Sequence, residues 1–499
     1  MHSEKYFNLV DEPWIPIVDV GMVGLKQIFM EPSYRAIGGN PVQKIALTKL
    51  LLAIAQASIT PKDDKEWQDL QPEGLAKKCL AYLQQWHSQF FLYGDAPFLQ
   101  MPAIKPAFVQ KFGAVLTEIS TGNTTVLTQS QVEKTLSDAD KALLIVQLMG
   151  FGLGGKKTDN AIVLTKDYQG KCNDKAKPST GKPGPSIGFL GFLHSFLQGS
   201  SLQESLWLNL FTQQQIADIG IYPAGLGIAP WQHMPIGESC PSAELLKSSL
   251  MGRLVPLSRF CLLTDHGLHY SEGIAHPGYK EGVVDPSITV DRSGKEAKAL
   301  WTDPEKRPWR QLTALLSFLA SNNNKGADCY QLRLTTGRAI PLLKSLGIWS
   351  GGLRVSSNAG EQFVSGSDDF VESLIHLPIE SLGDKWFSYF QSEMSELDKL
   401  SKVIYGSTLS YFKSQNMEAK GQAALASNLF WQLCERQFQT LVQACANADT
   451  ATIRITFGQF LHKSYDSHCA GETARQLDAW AKNRPNLGFY LKNTNQEKS

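Results

Sequence analysis

Apolar and polar positions alternate and repeat in ways that predict an N-terminal region mixing strands and helices. Residues 7–10 and 14–18 flank a turn and are typical of a strand followed by an edge strand. The pair Asn40-Pro41 predicts the capped start of a buried helix that continues to residue 57. A second helical stripe of apolar residues covers residues 73–91. This part of the chain therefore predicts a mixed globular body.

The pattern becomes wholly helical after about residue 380. Apolar residues then recur every three or four positions in four stretches, over residues 386–404, 425–433, 453–461 and 473–481. Short links between such stretches favour an antiparallel bundle. We therefore expect an α+β globular domain over residues 1–375, followed by an all-α four-helix bundle over residues 376–499.

Composition narrows the class of protein. The 499 residues are 42% hydrophobic and 19% charged with a net charge of +1, which is typical of a soluble globular protein of two or three domains. Any contact with nucleic acid must therefore depend on local basic patches, or belong to a subunit whose partners supply most of the charge. The eight cysteines form no C-x-x-C pair, and the charged N-terminus predicts no signal peptide. We expect a cytoplasmic protein with no metal site, no cofactor and no membrane segment.

The segment Gly150–Lys157 nearly matches two phosphate-binding patterns. Gly150, Gly152 and Gly155 fit G-x-G-x-x-G, and a G-x-x-x-x-G-K pattern ends at Lys156. Both patterns need a strand before the glycines and a helix after them. Here a helix from Ser137 is predicted to precede them, with Gly150 as its left-handed C-cap. A nucleotide-dependent enzyme using this loop is therefore the alternative function, not the favoured one.

Glycines followed by lysines suit close approach of bare backbone to a polyanion, although a flexible helix exit remains possible. Residues 154–187 carry seven lysines against three aspartates and are broken by prolines and glycines. They predict either a polyanion contact or a solvated surface loop. Residues 351–360 form a second glycine-bounded polar loop, suited to a hairpin tip or a plain turn. Asp368 and Asp369 would suit a metal-dependent nuclease, but adjacent acids rarely share one face of a strand.

Several segments, in their order along the chain, carry a resemblance to a known family. They are Phe7–Pro16, Ala55-Gln56-Ala57 ahead of Pro61–Asp64, Phe90–Gln100, the segment at Gly150, Gly351–Arg354 and the terminal helices. Together they resemble the CasA family, the large subunit of the type I-E CRISPR surveillance complex Cascade. The resemblance runs essentially from end to end.

The resemblance implies a non-catalytic protein of antiviral defence. Members recognise the protospacer-adjacent motif (PAM) of double-stranded DNA, largely from the minor groove, and promote strand opening and R-loop formation. The implied partners are CRISPR guide RNA, double-stranded target DNA, the other Cascade subunits and a helicase-nuclease effector that the subunit helps to recruit. Some members hold zinc through paired cysteines, which this chain lacks.

The resemblance also implies roles for individual residues. The glycine loop that lies against the motif corresponds to Gly150, Gly152, Gly154 and Gly155, with Lys156 and Lys157 as phosphate contacts. The lysine finger corresponds to Lys280, and the loop that touches the guide RNA and the motif to Val126, Leu127 and Thr128. The wedge that splits the duplex corresponds to Arg354, Ser356, Ser357 and Asn358.

Two of these correspondences depart from the family pattern. The family wedge ends in Asn-Asn-Gln, and Asn358 is shorter than the glutamine it replaces, so it reaches less deeply. The family's guide-RNA loop begins with an aromatic residue, whereas Val126 offers no ring for base stacking.

Overall fold

The computed structural model describes residues 6–117, 134–151, 191–320, 326–343, 346–355 and 369–492. In these ranges the α-helices are α1 Leu25–Met30, α2 Pro41–Ser58, α3 Asp64–Gln85, α4 Asp138–Gly150, α5 Leu202–Asn209, α6 Gln213–Ile219, α7 Pro241–Lys247, α8 Met251–Leu254, α9 Leu312–Leu315, α10 Tyr330–Ala339, α11 Asp384–Lys413, α12 Lys420–Glu435, α13 Phe438–Ala446, α14 Ala451–His468, α15 Ala474–Asn483 and α16 Gly488–Lys492. The β-strands are β1 Ile15–Ile17, β2 Gly21–Val23, β3 Val109–Lys111, β4 His194–Gln198, β5 Arg259–Leu263, β6 Gly267–Glu272, β7 Val290–Asp291, β8 Lys298–Ala299, β9 Ala327–Asp328, β10 Leu346–Leu353 and β11 Phe370–Leu377.

The chain forms two compact units, Met1–Pro308 with Lys325–Leu374, and Trp309–Asn324 with Ile375–Ser499. The first unit combines helices with small antiparallel sheets, whose strand orders are β1-β2, β11-β10-β4, β3-β6-β5 and β8-β7-β9. The second unit is helical. The predicted fold class, a mixed α/β region followed by an all-α region, is confirmed, whereas a functional boundary at residue 375 stays a prediction.

The buried helix α2 confirms the capping signal in the sequence. Asn40 has an extended backbone, and its side chain accepts a hydrogen bond from the Gln43 amide at 3.0 Å. Pro41 occupies the first turn, where its missing N–H costs no hydrogen bond. The helix is apolar on nearly every face because it packs against helices α3 and α4 and strand β10.

Two predicted elements differ from the structure. The second helix starts at Asp64 and ends at Gln85, not residues 73 and 91, and it is kinked at Gln71, whose φ is +53°. Pro72 explains the kink because it excludes helical backbone from the preceding residue. Residues 7–10 form one bridge from Asn8 to Phe91 and a turn instead of a strand, since the Asn8 carboxamide accepts the Val10 amide at 2.9 Å.

The all-α region contains six helices among the described residues, α11–α16, rather than four. The four predicted stretches lie on α11, α12, α14 and α15, and the sequence patterns missed the short helices α13 and α16. Helices α11 and α14 are joined by a buried ion pair, in which Arg454 Nε lies 2.9 and 3.0 Å from the two Glu393 carboxylate oxygens.

Among the helices of the described ranges, none combines the length and the apolar composition that crossing a bilayer requires.

Candidate functional site

Helix α4 leads into the glycine segment. It begins with a capping box, in which the Ser137 hydroxyl accepts the Asp140 amide at 3.1 Å. Gly150 is its last residue, not the left-handed cap that the sequence predicts, because the Phe151 amide still donates to the Gln147 carbonyl at 2.8 Å. Phe151 is the C-cap, with φ −117°. The helix therefore keeps its regular hydrogen bonds up to the start of the glycine segment.

A helix precedes the glycines, as the sequence predicts, so the strand that a nucleotide-binding loop needs is missing from that position. The last turn of α4 is hydrogen-bonded to the residue that precedes strand β5. There the Ser258 amide donates to the Met149 carbonyl at 2.8 Å. The remaining predicted residues of this loop, Gly152, Gly154, Gly155, Lys156 and Lys157, lie outside the described residues.

The chain re-enters the described part at Gly191, close to where it left. The ring of Phe151 lies 6.2 Å from the ring of His194, which stands at the start of β4. In the sheet, His194 is paired with Gly351 of β10. The residues that flank the segment 152–190 therefore both lie beside the start of strand β4.

Gly191 also lies against the end of β10. Its φ is +64°, and a Cβ atom there would come within 2.7 Å of both the Leu353 carbonyl oxygen and a Val355 methyl carbon. A side chain at position 191 would meet both strain and collision, so glycine permits this approach. The Arg354 amide donates to the Asp369 carbonyl at 2.9 Å, which brings together the two sides of the predicted wedge.

We call Phe151, Gly191, Val355 and Asp369 the loop-bearing edge, because residues 152–190 and 356–368 leave and return there. Among the predicted wedge residues, Arg354 is half-buried at this edge. Ser356, Ser357 and Asn358 lie outside the described residues, as does Asp368. The structure thus brings the described residues that flank the predicted glycine loop and the predicted wedge to one edge of one sheet.

Gly351 and Gly352 belong to strand β10 and not to the polar loop that the sequence predicts. A Cβ atom on Gly352 would lie 2.1 Å from the Thr302 hydroxyl oxygen and 2.8 Å from the Phe192 carbonyl oxygen. These glycines therefore serve close packing of the strand beneath the loop-bearing edge.

The predicted lysine finger lies on a neighbouring turn. Tyr279–Glu281 form a 3-10 turn, and the Tyr279 ring meets the ring of Phe192, next to Gly191, edge to face at 5.7 Å. The Lys280 side chain is 66% exposed, and its Nζ lies 4.0 Å from a carboxylate oxygen of Glu296, which is 80% exposed. The contact between Tyr279 and Phe192 thus places Lys280 near the loop-bearing edge, where its side chain is accessible.

The predicted guide-RNA loop also begins beside α4. Thr117, the last described residue before the segment 118–133, is buried, and its hydroxyl accepts a hydrogen bond from Gln147 at 3.5 Å. Gln147 stands one turn before the end of α4. Val126, Leu127 and Thr128 themselves lie outside the described residues.

A buried polar network lies next to the loop-bearing edge, and the sequence patterns did not predict it. Lys49 of α2 forms an ion pair with Asp285, and its Nζ also donates to the Arg253 carbonyl at 2.8 Å. The Asp285 carboxylate accepts the Ser287 hydroxyl at 2.7 Å, and that hydroxyl shares a 2.8 Å hydrogen bond with His194. The only sequence signal was Lys49, a charge interrupting an apolar stretch.

The network has a defined charge state. Burial disfavours ionisation of Asp285, but Lys49, His194 and the Ser287 hydrogen bond together hold the pKa of the Asp285 carboxyl below its ordinary value. Burial also lowers the pKa of the Lys49 ammonium, and its attraction to Asp285 opposes that shift. The carboxylate is therefore charged and paired at neutral pH. This ion pair links α2 through Ser287 to His194, the residue that positions Phe151.

No group of three His, Cys, Asp or Glu side chains within the ranges that the structure describes is arranged to hold a metal ion. The described cysteines are buried, and burial raises the pKa of the Cys79 and Cys329 thiols to about 12. These thiols remain protonated at neutral pH and are poor metal ligands.

Known proteins share this architecture. The model of the family "CRISPR-associated protein Cse1" matches residues 8–480. The CasA/Cse1 protein of Thermus thermophilus is 26% identical over 346 residues, which cover 63% of this chain and 61% of that relative. The crystal structure of Thermobifida fusca Cse1 superposes with a TM-score of 0.76 at 18% identity and covers 98% of each chain. A chain of a CRISPR RNA-guided surveillance complex superposes with a TM-score of 0.70 at 15% identity, over 96% of this chain and 99% of that chain.

The fold defines a protein with a mixed α/β region and a helical region. Long segments leave one sheet edge of the mixed region, and the helical region is the one that Cse1 structures share. The family match spans nearly the whole sequence, and this chain belongs to the CRISPR-associated protein Cse1 family. Cse1 is a non-catalytic subunit of Cascade.

Proposed function

We propose that this chain is the large subunit of a type I-E CRISPR guide-RNA surveillance complex. In this role it recognises the PAM in double-stranded DNA, promotes strand opening and R-loop formation, and helps to recruit the helicase-nuclease. Its partners are the CRISPR RNA, the target duplex, the other Cascade subunits and that effector. Membership of the Cse1 family supports the assembly, and the geometry of the loop-bearing edge supports the role in DNA recognition.

The observation that carries the proposal is the convergence of the segments at the loop-bearing edge. The glycine and lysine segment and the wedge segment lie more than 150 residues apart in sequence, yet Gly191 packs directly against Leu353 and Val355. Recognition of a motif and separation of the base pairs next to it must occur at adjacent places on one duplex. A shared edge meets that requirement.

The chemistry of the edge suits a polyanion. Residues 154–187 supply seven lysines against three aspartates, and Lys280 adds an exposed ammonium group on the neighbouring turn. Lysines contact phosphates without reading the base sequence. Glycine has no side chain, so its backbone can approach the floor of a DNA groove closely. In this proposal Gly150–Gly155 lie against the motif, Lys156 and Lys157 contact phosphates, and Val126–Thr128 approach the guide RNA.

The alternative, a nucleotide-dependent enzyme built on Gly150–Lys157, gains no support from the described residues. Helix α4 occupies the position that a strand takes in nucleotide-binding loops. An ATP or magnesium dependence of any activity of the isolated chain would favour this alternative instead.

The wedge provides the sharpest test of the proposed function. Replacing Asn358 with Gly removes the side chain that is proposed to stabilise separated strands, and each opened base-pair step costs about 1.4 kcal/mol of stacking. We expect Asn358→Gly to slow R-loop formation by about tenfold on fully paired DNA, as loss of one such step predicts. Permanganate footprinting of thymines beside the motif measures the opening directly.

Two matched comparisons separate opening from binding. A target with a pre-melted bubble beside the motif should restore the Asn358→Gly complex to the parent rate, because the base pairs that the wedge is proposed to separate are already open. Asn358→Gln, which lengthens the side chain without changing its chemistry, should open paired DNA at least as fast as the parent. Equal defects of Asn358→Gly on paired and bubbled targets would show that this segment does not open the duplex.

A further inference from the structure

The first unit contains a cavity of about 330 Å³ that the proposed DNA contacts do not use. It lies among the β1-β2 hairpin, helices α2 and α5, and the sheet β11-β10-β4. Apolar side chains from these elements line its interior, among them Ile37, Phe196, Leu202, Leu206 and Trp349. Its size is within the range of pockets that bind ligands or anchoring side chains.

Some of the charged side chains around the cavity form ion pairs with described residues, and one does not. The Glu372 carboxylate accepts Lys44 Nζ at 2.7 and 2.9 Å and the Trp349 indole N–H at 2.9 Å. Arg35, which is exposed at the same cavity, has no ion-pair partner within the described part of the chain. Arg35 and Lys44 against Glu372 leave the described lining with a net charge of +1.

A polar atom and an apolar rim also remain uncovered. The Ser373 hydroxyl is buried in the wall and has no hydrogen-bond partner among the described residues. At the rim, Val18 and Leu374 are 41% and 43% exposed. Val20 and Met22, on the same hairpin as Val18, are 54% and 47% exposed. Apolar surface therefore continues outside the cavity.

We infer that this cavity is a docking site for a segment of a stable partner subunit, which inserts a large apolar side chain and presents a carboxylate to Arg35. The inference rests on the proposed function, because it takes the partner to be another protein of the guide-RNA complex. A carboxylate complements the unpaired cation, and a peptide N–H or C=O group satisfies the Ser373 hydroxyl.

The exposed rim favours a protein over a small molecule. A small ligand is enclosed by its pocket, whereas Val18, Val20 and Met22 would stay uncovered around it. Apolar patches of this kind are typical of permanent interfaces, which are more hydrophobic than transient ones. A permanent subunit of the complex therefore fits better than an effector that binds and leaves.

The test uses the full chain and a subcomplex of guide RNA with the remaining Cascade subunits. Arg35→Glu reverses the free charge at an exposed position, and Thr48→Trp fills the cavity from helix α2. Lys77→Glu is the matched control, because this exposed lysine of α3 also has no partner within the described ranges. The dissociation constant of each variant for the subcomplex is measured by biolayer interferometry.

We expect Arg35→Glu and Thr48→Trp each to weaken association by about tenfold or more, and Lys77→Glu to stay within about twofold. A photo-crosslinking amino acid at position 18 should capture one protein subunit in the assembled complex. Unchanged affinity of Arg35→Glu, which removes no internal contact, would overturn the docking site even if Thr48→Trp misfolds. A small molecule found in the cavity by native mass spectrometry would also overturn it.

The same experiment distinguishes this inference from the proposed function. A parent chain that binds the subcomplex while all three variants bind equally well refutes the docking site alone. A parent chain that binds neither guide RNA nor the other subunits refutes the proposed function, and the docking site with it.

Discussion

Replacing Lys49 with Met tests whether the buried network under the loop-bearing edge is a structural support. Lys49 and Asp285 are each only 1% exposed, so water cannot replace the lost ammonium group. After the change, the hydrogen bonds that the Asp285 carboxylate keeps from described residues come from the Ser287 amide at 3.0 Å and hydroxyl at 2.7 Å. The Arg253 carbonyl also loses its 2.8 Å donor.

The expected loss is large because one partner of a buried pair remains uncompensated. Such changes lower the free energy of unfolding by about 3–5 kcal/mol, whereas loss of an exposed ion pair lowers it by at most about 1 kcal/mol. Arg333→Met provides the exposed control, since Arg333 and its partner Asp328 are 40% and 24% exposed. Lys49→Met/Asp285→Leu should recover only part of the loss, because it removes the uncompensated Asp285 carboxylate but also removes a carboxylate that stabilises the buried guanidinium of Arg253.

The free energy of unfolding is measured by hydrogen exchange of α2 amides, which reports on the first unit alone. The effect has a pH signature. Since Lys49 holds the pKa of Asp285 below its ordinary value, the pair stabilises the fold fully above about pH 4, and this stabilisation is lost as the pH falls through the lowered pKa. The difference between parent and Lys49→Met should therefore shrink in acid. A loss below about 1 kcal/mol at pH 7 would refute the reasoning.

The remaining predictions concern the DNA contacts. Gly154→Leu should abolish binding of the assembled complex to motif-bearing duplex in a gel-shift assay, because a side chain would stand where backbone approaches DNA; unchanged affinity would contradict the assignment. Changing Lys156 and Lys157 to Ala should weaken binding to every duplex and reduce the slope of log K against log salt by about one unit per lost contact; an unchanged slope would exclude phosphate contacts. Lys280→Ala should reduce discrimination between motif sequences in competition binding, whereas Lys77→Ala, at the exposed lysine of α3, should not; equal effects would argue against a finger at Lys280.

Local signals in the sequence were enough to predict the main helices. The Asn40 cap, the Ser137 capping box and the helical spacing after residue 380 depend on residues close in sequence, and the structure bears them out. The short helix α13 was missed because it follows α12 after only two residues and spans nine. Helix existence was thus predictable, whereas helix number and bounds were not.

Elements that depend on tertiary contacts were predicted less well. Gly351 and Gly352 look like loop residues in sequence, but both belong to β10. A side chain would meet Trp349 and Val371 at position 351, and Thr302 and Phe192 at position 352. Gly150 looked like a cap because glycine is common there, yet the helix continues through it. The ion-pair partner of Lys49 is Asp285, 236 residues away in sequence, and no local sequence pattern predicts such a pair.

The packing at Gly191 suggests how the proposed DNA recognition would couple to the proposed strand opening. Gly191 ends the segment proposed to contact the motif, and it touches Leu353 and Val355 at the start of the segment proposed to act as the wedge. Because a Cβ atom would collide there, glycine at position 191 allows the two segments to lie this close. Under the proposed function, motif binding that displaced Gly191 toward β10 would press it against Leu353 and Val355, and close packing would resist that displacement. We therefore expect this contact to be one physical route by which motif binding at one segment biases the position of the other.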